Sequence, residues 1–301
     1  MFHDICVLPK EMQQIIVDRA ATDQTFKWKP GSVIKIKFLD GEPFQKAWTK
    51  KVIEEQIQPL VKNNLTLKFV EFNENADVKM TFQTTDYGTS FIGTSCQTIP
   101  QDMPSMKIGN LDCPRQFEYQ SQVYTVPDEY PHANDPNENG AILKHEYGHV
   151  FSLWHEHQNP INNPIIWDVP KTLEYYRNRY NLTDYETQIN IIERLSPDVY
   201  EGTPYDPNSI MGYEINPRLT KNNVGVTRNY DYSDQDLYWL TNNIVKIIPH
   251  NLTPNGIDSR LKNNPYQNLG NSSKSETVIL IILGIVLAVL GIALWWWRRR
   301  R

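Results

Sequence analysis

Thirteen residues constrain what this chain folds into more than any others: His145 to His157, HEYGHVFSLWHEH, which hold four of its seven histidines. His145 and His149 are four apart, so on a helix they share a face, one turn apart. At that pitch two imidazole nitrogens can meet one Zn2+ at about 2.0–2.1 Å each. His155 comes later, so the helix must stop and the chain must turn back toward the same point. Three protein ligands leave a coordination position open, as in catalytic zinc sites, whereas structural sites are closed by a fourth ligand. Glu146, directly after the first histidine, occupies the place of the general base in H-E-x-x-H sites and favours the catalytic version. His157 lies beyond the last ligand. It reads as a solvated histidine, with a spare ligand as the other possibility.

The far end of the chain adds a second constraint. From Thr277 to Trp297 there is no charged residue, and as a helix this run spans about 31 Å, close to a bilayer core. Trp295, Trp296 and Trp297 fall where an interfacial belt belongs, with Arg298 to Arg301 just beyond. Residues 277–297 therefore read as a transmembrane helix, and the protein as a single-pass membrane protein anchored near its C-terminus. The arginines favour a cytosolic C-terminus and hence a body on the outside. The opening MFHDICVLPKEMQQ, however, has neither the basic nor the apolar region of a secretion signal. Insertion as a tail anchor, with the body in the cytosol, is the preferred topology. The net charge is −5, and more negative still without the four terminal arginines. An acidic body argues against a nucleic-acid partner. Three cysteines, Cys6, Cys96 and Cys113, cannot build a disulfide framework. One bridge, Cys96 with Cys113, and free buried thiols both fit.

Between these constraints the pattern is mixed. Residues 10–24 have helical spacing, and SVIKIKFLDG alternates as a half-buried strand does. PFQKAWTKKVIEEQIQPLVKN reads as a helix with Phe44, Trp48, Val52, Ile53 and Ile57 on one face. LTLKFVEF and ADVKMTF are two further strands, and PSMKIG, bounded by Pro104 and Gly109, is a candidate sheet edge. CPRQFEYQSQVYTVPDEYPHANDPNENG reads as loops from its Pro, Asn and Asp content. A helix then runs from Glu138 into the histidine cluster. Two more follow, one from near Asp168 and one opening at Thr183 with Glu186 as a capping box. YDPNSIMGY reads as a turn, and a last helix has Ser233 as N-cap. The expected division is an N-terminal helical segment (1–30), two halves of a catalytic domain (31–157 and 158–250), a polar linker (251–276), the span (277–297) and a basic tail (298–301).

HEYGHVFSLWH resembles the metzincin signature H-E-x-x-H-x-x-G-x-x-H, which is followed by a methionine turn. It departs from it at Ser152, where the family has glycine. Serine there costs on the order of 1 kcal/mol if positive φ is required. Within that clan the chain is most similar to the astacin family: His155 is followed by Glu156, and SIMGY (Ser209 to Tyr213) has the form of its methionine turn. PGSVIKIKFLDG, ADVKMTF with SFIGT, and YSDQDLYWLTNNI extend the likeness over roughly residues 5–248. HEHQNP is the form of its non-animal branch. The resemblance implies an α+β fold with a mixed five-stranded sheet and active-site helix in the N-terminal subdomain. The C-terminal subdomain would be mainly helical or irregular. It implies one catalytic Zn2+ held by His145, His149 and His155, with Met211 beneath the ligands and Glu156 as a structural marker. Glu146 would be the base, and Tyr213 the donor to the developing oxyanion. The substrate, a protein or peptide, would add antiparallel to an edge strand, the one at Pro104 to Gly109. Astacins usually carry a propeptide aspartate that blocks the zinc; here Asp4 or Cys6 could take that part, with a structural cysteine as the plainer reading. The activity so implied is that of a membrane-tethered zinc metalloendopeptidase. The rival classes are an inactive zinc-containing binding protein and a structural envelope protein in which the metal only folds the domain.

Overall fold

The alternation in SVIKIKF makes strand β1, Ser32–Phe38, with Ile34 and Ile36 in the core and Val33 and Lys35 outside. The computed structural model that shows this describes residues 26–84, 88–130, 139–197 and 202–242. The expected helix at 10–24, the linker, the span at 277–297, the basic tail, Asp4 and Cys6 lie outside them. Among the described residues no helix is long and apolar enough to cross a membrane.

Helix α1, Pro43–Val52, runs on through a π-helical turn, Ile53–Ile57, into α2, Gln58–Val61. Pro59 offers no N–H to the preceding turn, and the helix widens just before it. The face read from spacing is the buried one: Phe44, Trp48, Val52, Ile53 and Ile57 all join the main core. Strands β2 (Leu65–Phe69), β3 (Val78–Thr81), β4 (Gly88–Ser90) and β5 (Met106–Ile108) complete a five-stranded sheet ordered β2-β1-β3-β5-β4. Pairings from β2 through β5 are parallel, and β4 alone is antiparallel, with Thr89 opposite Lys107. The mixed five-stranded sheet is thus as expected, but its edge is not. PSMKIG is an inner strand, covered on its outer side by β4. The three residues Gly-Thr-Ser carry no alternation, so no periodicity could reveal them as the edge.

A second correction concerns residues 116–125, expected as loop. Gln116–Tyr119 (β6) and Gln122–Thr125 (β7) form an antiparallel hairpin whose Phe117 stacks on Tyr124 with ring centroids 5.4 Å apart. Its turn residues Gln120 and Ser121 both have positive φ, 51° and 61°. That is the geometry of a two-residue hairpin turn, normally marked by Asn-Gly, and neither residue here carries that mark. For the cysteine pair the structure decides between the two readings, in favour of buried thiols. Cys96 and Cys113 are both buried in the core and are not joined.

Helix α3, Ala141–Val150, packs against β4 and β5. Beyond it come α4 (Val169–Tyr180), α5 (Asp184–Thr187) with a π-helical turn at Gln188–Ile192, and α6 (Asp234–Asn242). Both expected caps form. Thr183 and Glu186 exchange hydrogen bonds of 3.1 and 2.9 Å, and Ser233 and Asp236 do the same at 3.1 and 3.0 Å. A separate apolar cluster of Ile165, Trp167, Tyr176, Ile191, Tyr213 and Ile215 organises this C-terminal part.

Candidate metal centre

All ten residues of α3 are buried. Its N-terminus is tied down by Asp112, whose carbonyl takes the Gly140 N–H at 3.1 Å and whose carboxylate takes the Ile142 N–H at 3.2 Å. Its C-terminus closes in a Schellman turn. Leu153 N–H reaches Gly148 O at 2.9 Å, Ser152 N–H reaches His149 O at 2.8 Å, and Ser152 takes the left-handed conformation at φ 70°. The position that departs from the signature thus does require positive φ. Its hydroxyl offsets the strain by donating to Phe26 O at 2.8 Å. Ser152→Gly should therefore stay within about 1 kcal/mol of wild type, trading strain for the lost bond, while Ser152→Ala keeps the strain and should cost about 1–2 kcal/mol. Urea denaturation of both variants checks this, and an alanine variant as stable as the glycine one would refute it.

The turn brings His155 back to the helix. His149 Nε2 and His155 Nε2 stand 3.1 Å apart, and the ligand atoms of His145, His149 and His155 all lie within 4.8 Å of one another. The opposite ring nitrogens explain what these atoms are. His145 Nδ1 is 2.8 Å from Ile210 O and His149 Nδ1 is 2.9 Å from Leu153 O. A carbonyl only accepts, so each Nδ1 carries the proton and each Nε2 presents a lone pair. His145 Nε2 is buried with no hydrogen-bond partner. Two zinc-bound nitrogens at about 2.0–2.1 Å in a tetrahedral array stand a little over 3 Å apart, so this donor set fits a zinc ion. Burial also keeps the imidazoles neutral, as ligands must be: it pulls His145 down to about 4 and His149 to about 3, and His155 well below its usual range.

The remaining residues singled out by the sequence converge on the same place. Glu146 is fully buried, and β4 crosses against it: a Cβ on Gly88 would come 2.5 Å from Glu146 Oε1. Glycine at 88 is what allows the edge strand to lie so close. Met211 is buried beneath α3, where any Cβ on Gly148 would overlap its Sδ. Glu156 Oε1 accepts from Asn159 Nδ2 at 2.7 Å and Asp206 N–H at 2.8 Å, and its own N–H reaches Met211 O at 3.0 Å. Burial outweighs those donors and pushes its carboxyl up to about 8. Tyr213 is buried with its ring centroid 4.5 Å from that of His155. His157 corrects an expectation. It stays outside the triad but is 2 % exposed, not solvated, with Nε2 2.9 Å from Asn190 O.

One residue escaped the sequence reading. Asp236, on the first turn of α6, accepts from Ser209 Oγ at 2.8 Å and Ile210 N–H at 2.9 Å. The carbonyl of the same residue, Ile210, faces His145 Nδ1. The only local signal at Asp236 is its capping role, and that conceals the longer-range one.

No family model and no curated protein matches the chain. Among solved structures it is similar to myroilysin: one structure matches at 26% identity and TM-score 0.59, covering 76% of this chain and 98% of that one. A second, a crystal structure of myroilysin, matches at 26% identity and TM-score 0.47 over 72% of this chain and 84% of that one. The chain shares the myroilysin fold, and its three-histidine centre is set within it.

Proposed function

We propose that this protein is a zinc-dependent, astacin-like endopeptidase. The observation that carries the reading is the convergence of three imidazole lone pairs, two of them oriented by backbone carbonyls, on a helix that also holds Glu146 under the edge strand. The likeness in fold to myroilysin supports it. His145, His149 and His155 would hold the zinc ion, which would supply Lewis acidity toward water and the scissile carbonyl. An extended peptide adds to the outer edge of β4, which brings its backbone past Glu146. Glu146 takes the proton of the attacking water and hands it to the leaving nitrogen. Tyr213 donates its phenolic hydrogen to the oxyanion, and Met211 and Glu156 hold the floor and flank of the site.

The purified, zinc-loaded chain should cleave casein or gelatin, lose that activity with 1,10-phenanthroline and regain it with added Zn2+. A zinc-loaded protein that leaves both substrates intact ends the protease reading and favours a binding or structural role. Tethering through residues 277–297 belongs to the same proposal and rests on their apolar composition. Removal of residues 277–301 should release the protein from membranes, and a truncated chain that still sediments with them would exclude the anchor.

A further inference from the structure

We propose that His157 is a positioning residue for Tyr213, holding the phenol beside His155 with the face of its imidazole ring; this rests on the reading of Tyr213 as the oxyanion donor. His157 lies outside the metal triad and is buried, so neither ligation nor solvation explains it. Its Nε2 faces the Asn190 carbonyl and must carry the proton. Its Nδ1 is then left as an acceptor, buried and without a hydrogen-bond partner. An apolar side chain would avoid that desolvation cost.

What the ring does is visible in its neighbours. Its centroid lies 4.3 Å from that of Tyr213 at 34° and 5.3 Å from that of His155 at 20°. Tyr213 therefore has an imidazole against it from each of two residues. A metal would fix the His155 ring. The His157 ring is fixed by protein alone. The π-helical turn at Gln188–Ile192 is the anchor, since a helix that widens and ends leaves carbonyls without intrahelical donors. His157 takes the Asn190 carbonyl, while Gln158 Nε2 reaches Ile189 O at 2.8 Å and Glu193 O at 3.2 Å. Asn190 is itself held by Nδ2 to Glu186 O at 2.8 Å. Asn163 Nδ2 secures the His157 carbonyl at 2.9 Å. The ring is thus a fixed wall that restricts where the Tyr213 side chain can turn.

The test is steady-state hydrolysis of a fluorogenic peptide by the zinc-loaded full chain. His157→Ala should lower kcat about 10- to 100-fold, as expected for a misplaced catalytic group, with KM and zinc stoichiometry unchanged. His157→Leu, which keeps the volume without the ring, should behave the same way and serves if the alanine variant folds poorly. His157→Phe keeps a flat face and should retain kcat within about threefold. In a Tyr213→Phe background none of the three should lower kcat further. Wild-type kcat in the alanine or leucine variant, loss of zinc with the activity, or an undiminished effect in the Tyr213→Phe background overturns the inference and leaves the protease reading intact. A wild-type chain that cleaves nothing overturns the protease reading itself.

Discussion

Glu146→Gln should lower peptide hydrolysis by about 10²- to 10⁴-fold while leaving bound zinc and thermal stability near wild type. General-base catalysis contributes on that scale. Glutamine has the same shape, so the close approach of Gly88 to the side chain at 146 is preserved. What is lost is the capacity to accept a proton from water. The three imidazoles are untouched, and the carbonyls of Ile210 and Leu153 still orient two of them. Kinetics and metal analysis on the same preparation decide the matter. Activity within a few-fold of wild type would remove Glu146 from the mechanism, and a parallel fall in zinc would make it a structural residue.

The second large effect is expected far from the histidines in sequence. Asp236→Asn should weaken zinc binding about 10- to 100-fold, the usual penalty for disturbing a ligand's outer partner. It should also lower folding stability by about 2–4 kcal/mol. The carboxylate receives three donors: Ser209 Oγ, Ile210 N–H and Ser233 N–H. An asparagine side chain turns one acceptor oxygen into a donor and sets it against one of them. The backbone at Ile210 is then no longer pinned at its N–H, and the carbonyl of that residue is the group that orients His145. Ser209 loosens as well, and its hydroxyl in turn holds Met211 N–H at 3.0 Å. Asp234→Asn is the control: Asp234 is exposed in the same first turn and has no tie to the methionine turn. Zinc competition against a chromophoric chelator, with urea melts of both variants, separates them. Equal zinc affinity in Asp236→Asn and wild type would show that the Asp236–Ile210–His145 chain of contacts carries no metal-binding energy.

The legible parts of the protein were those whose cause is local. HEYGH could be read because helical pitch and zinc coordination impose the same four-residue spacing. The face of α1 and the alternation of β1 follow from burial of one side. The caps at Thr183 and Ser233 are each closed by a residue three positions on. The edge strand escaped because Gly88–Ser90 is too short to show a period. The hairpin escaped because Gln120 and Ser121 adopt left-handed backbone without the residues that usually announce it. The expectation of a solvated His157 failed because its burial comes from a helix that follows more than thirty residues later in the chain.

By itself, then, the sequence determined a histidine cluster with metal-ligand spacing, a glutamate beside it, and the elements that carry them, because each depends on residues within a turn or two of one another. It also marks Ser152 as a departure whose cost could be stated in advance. Only the tertiary structure decided that Ser152 is compensated by Phe26, that Gly88 and Gly148 are open spaces for Glu146 and Met211, and that Asp236 reaches His145 through the backbone of Ile210. These are contacts across long separations, set by how helices and sheet pack in three dimensions. A packed interior selects such partners by shape and hydrogen-bonding need, and leaves no trace of that choice in the spacing of residues along the chain.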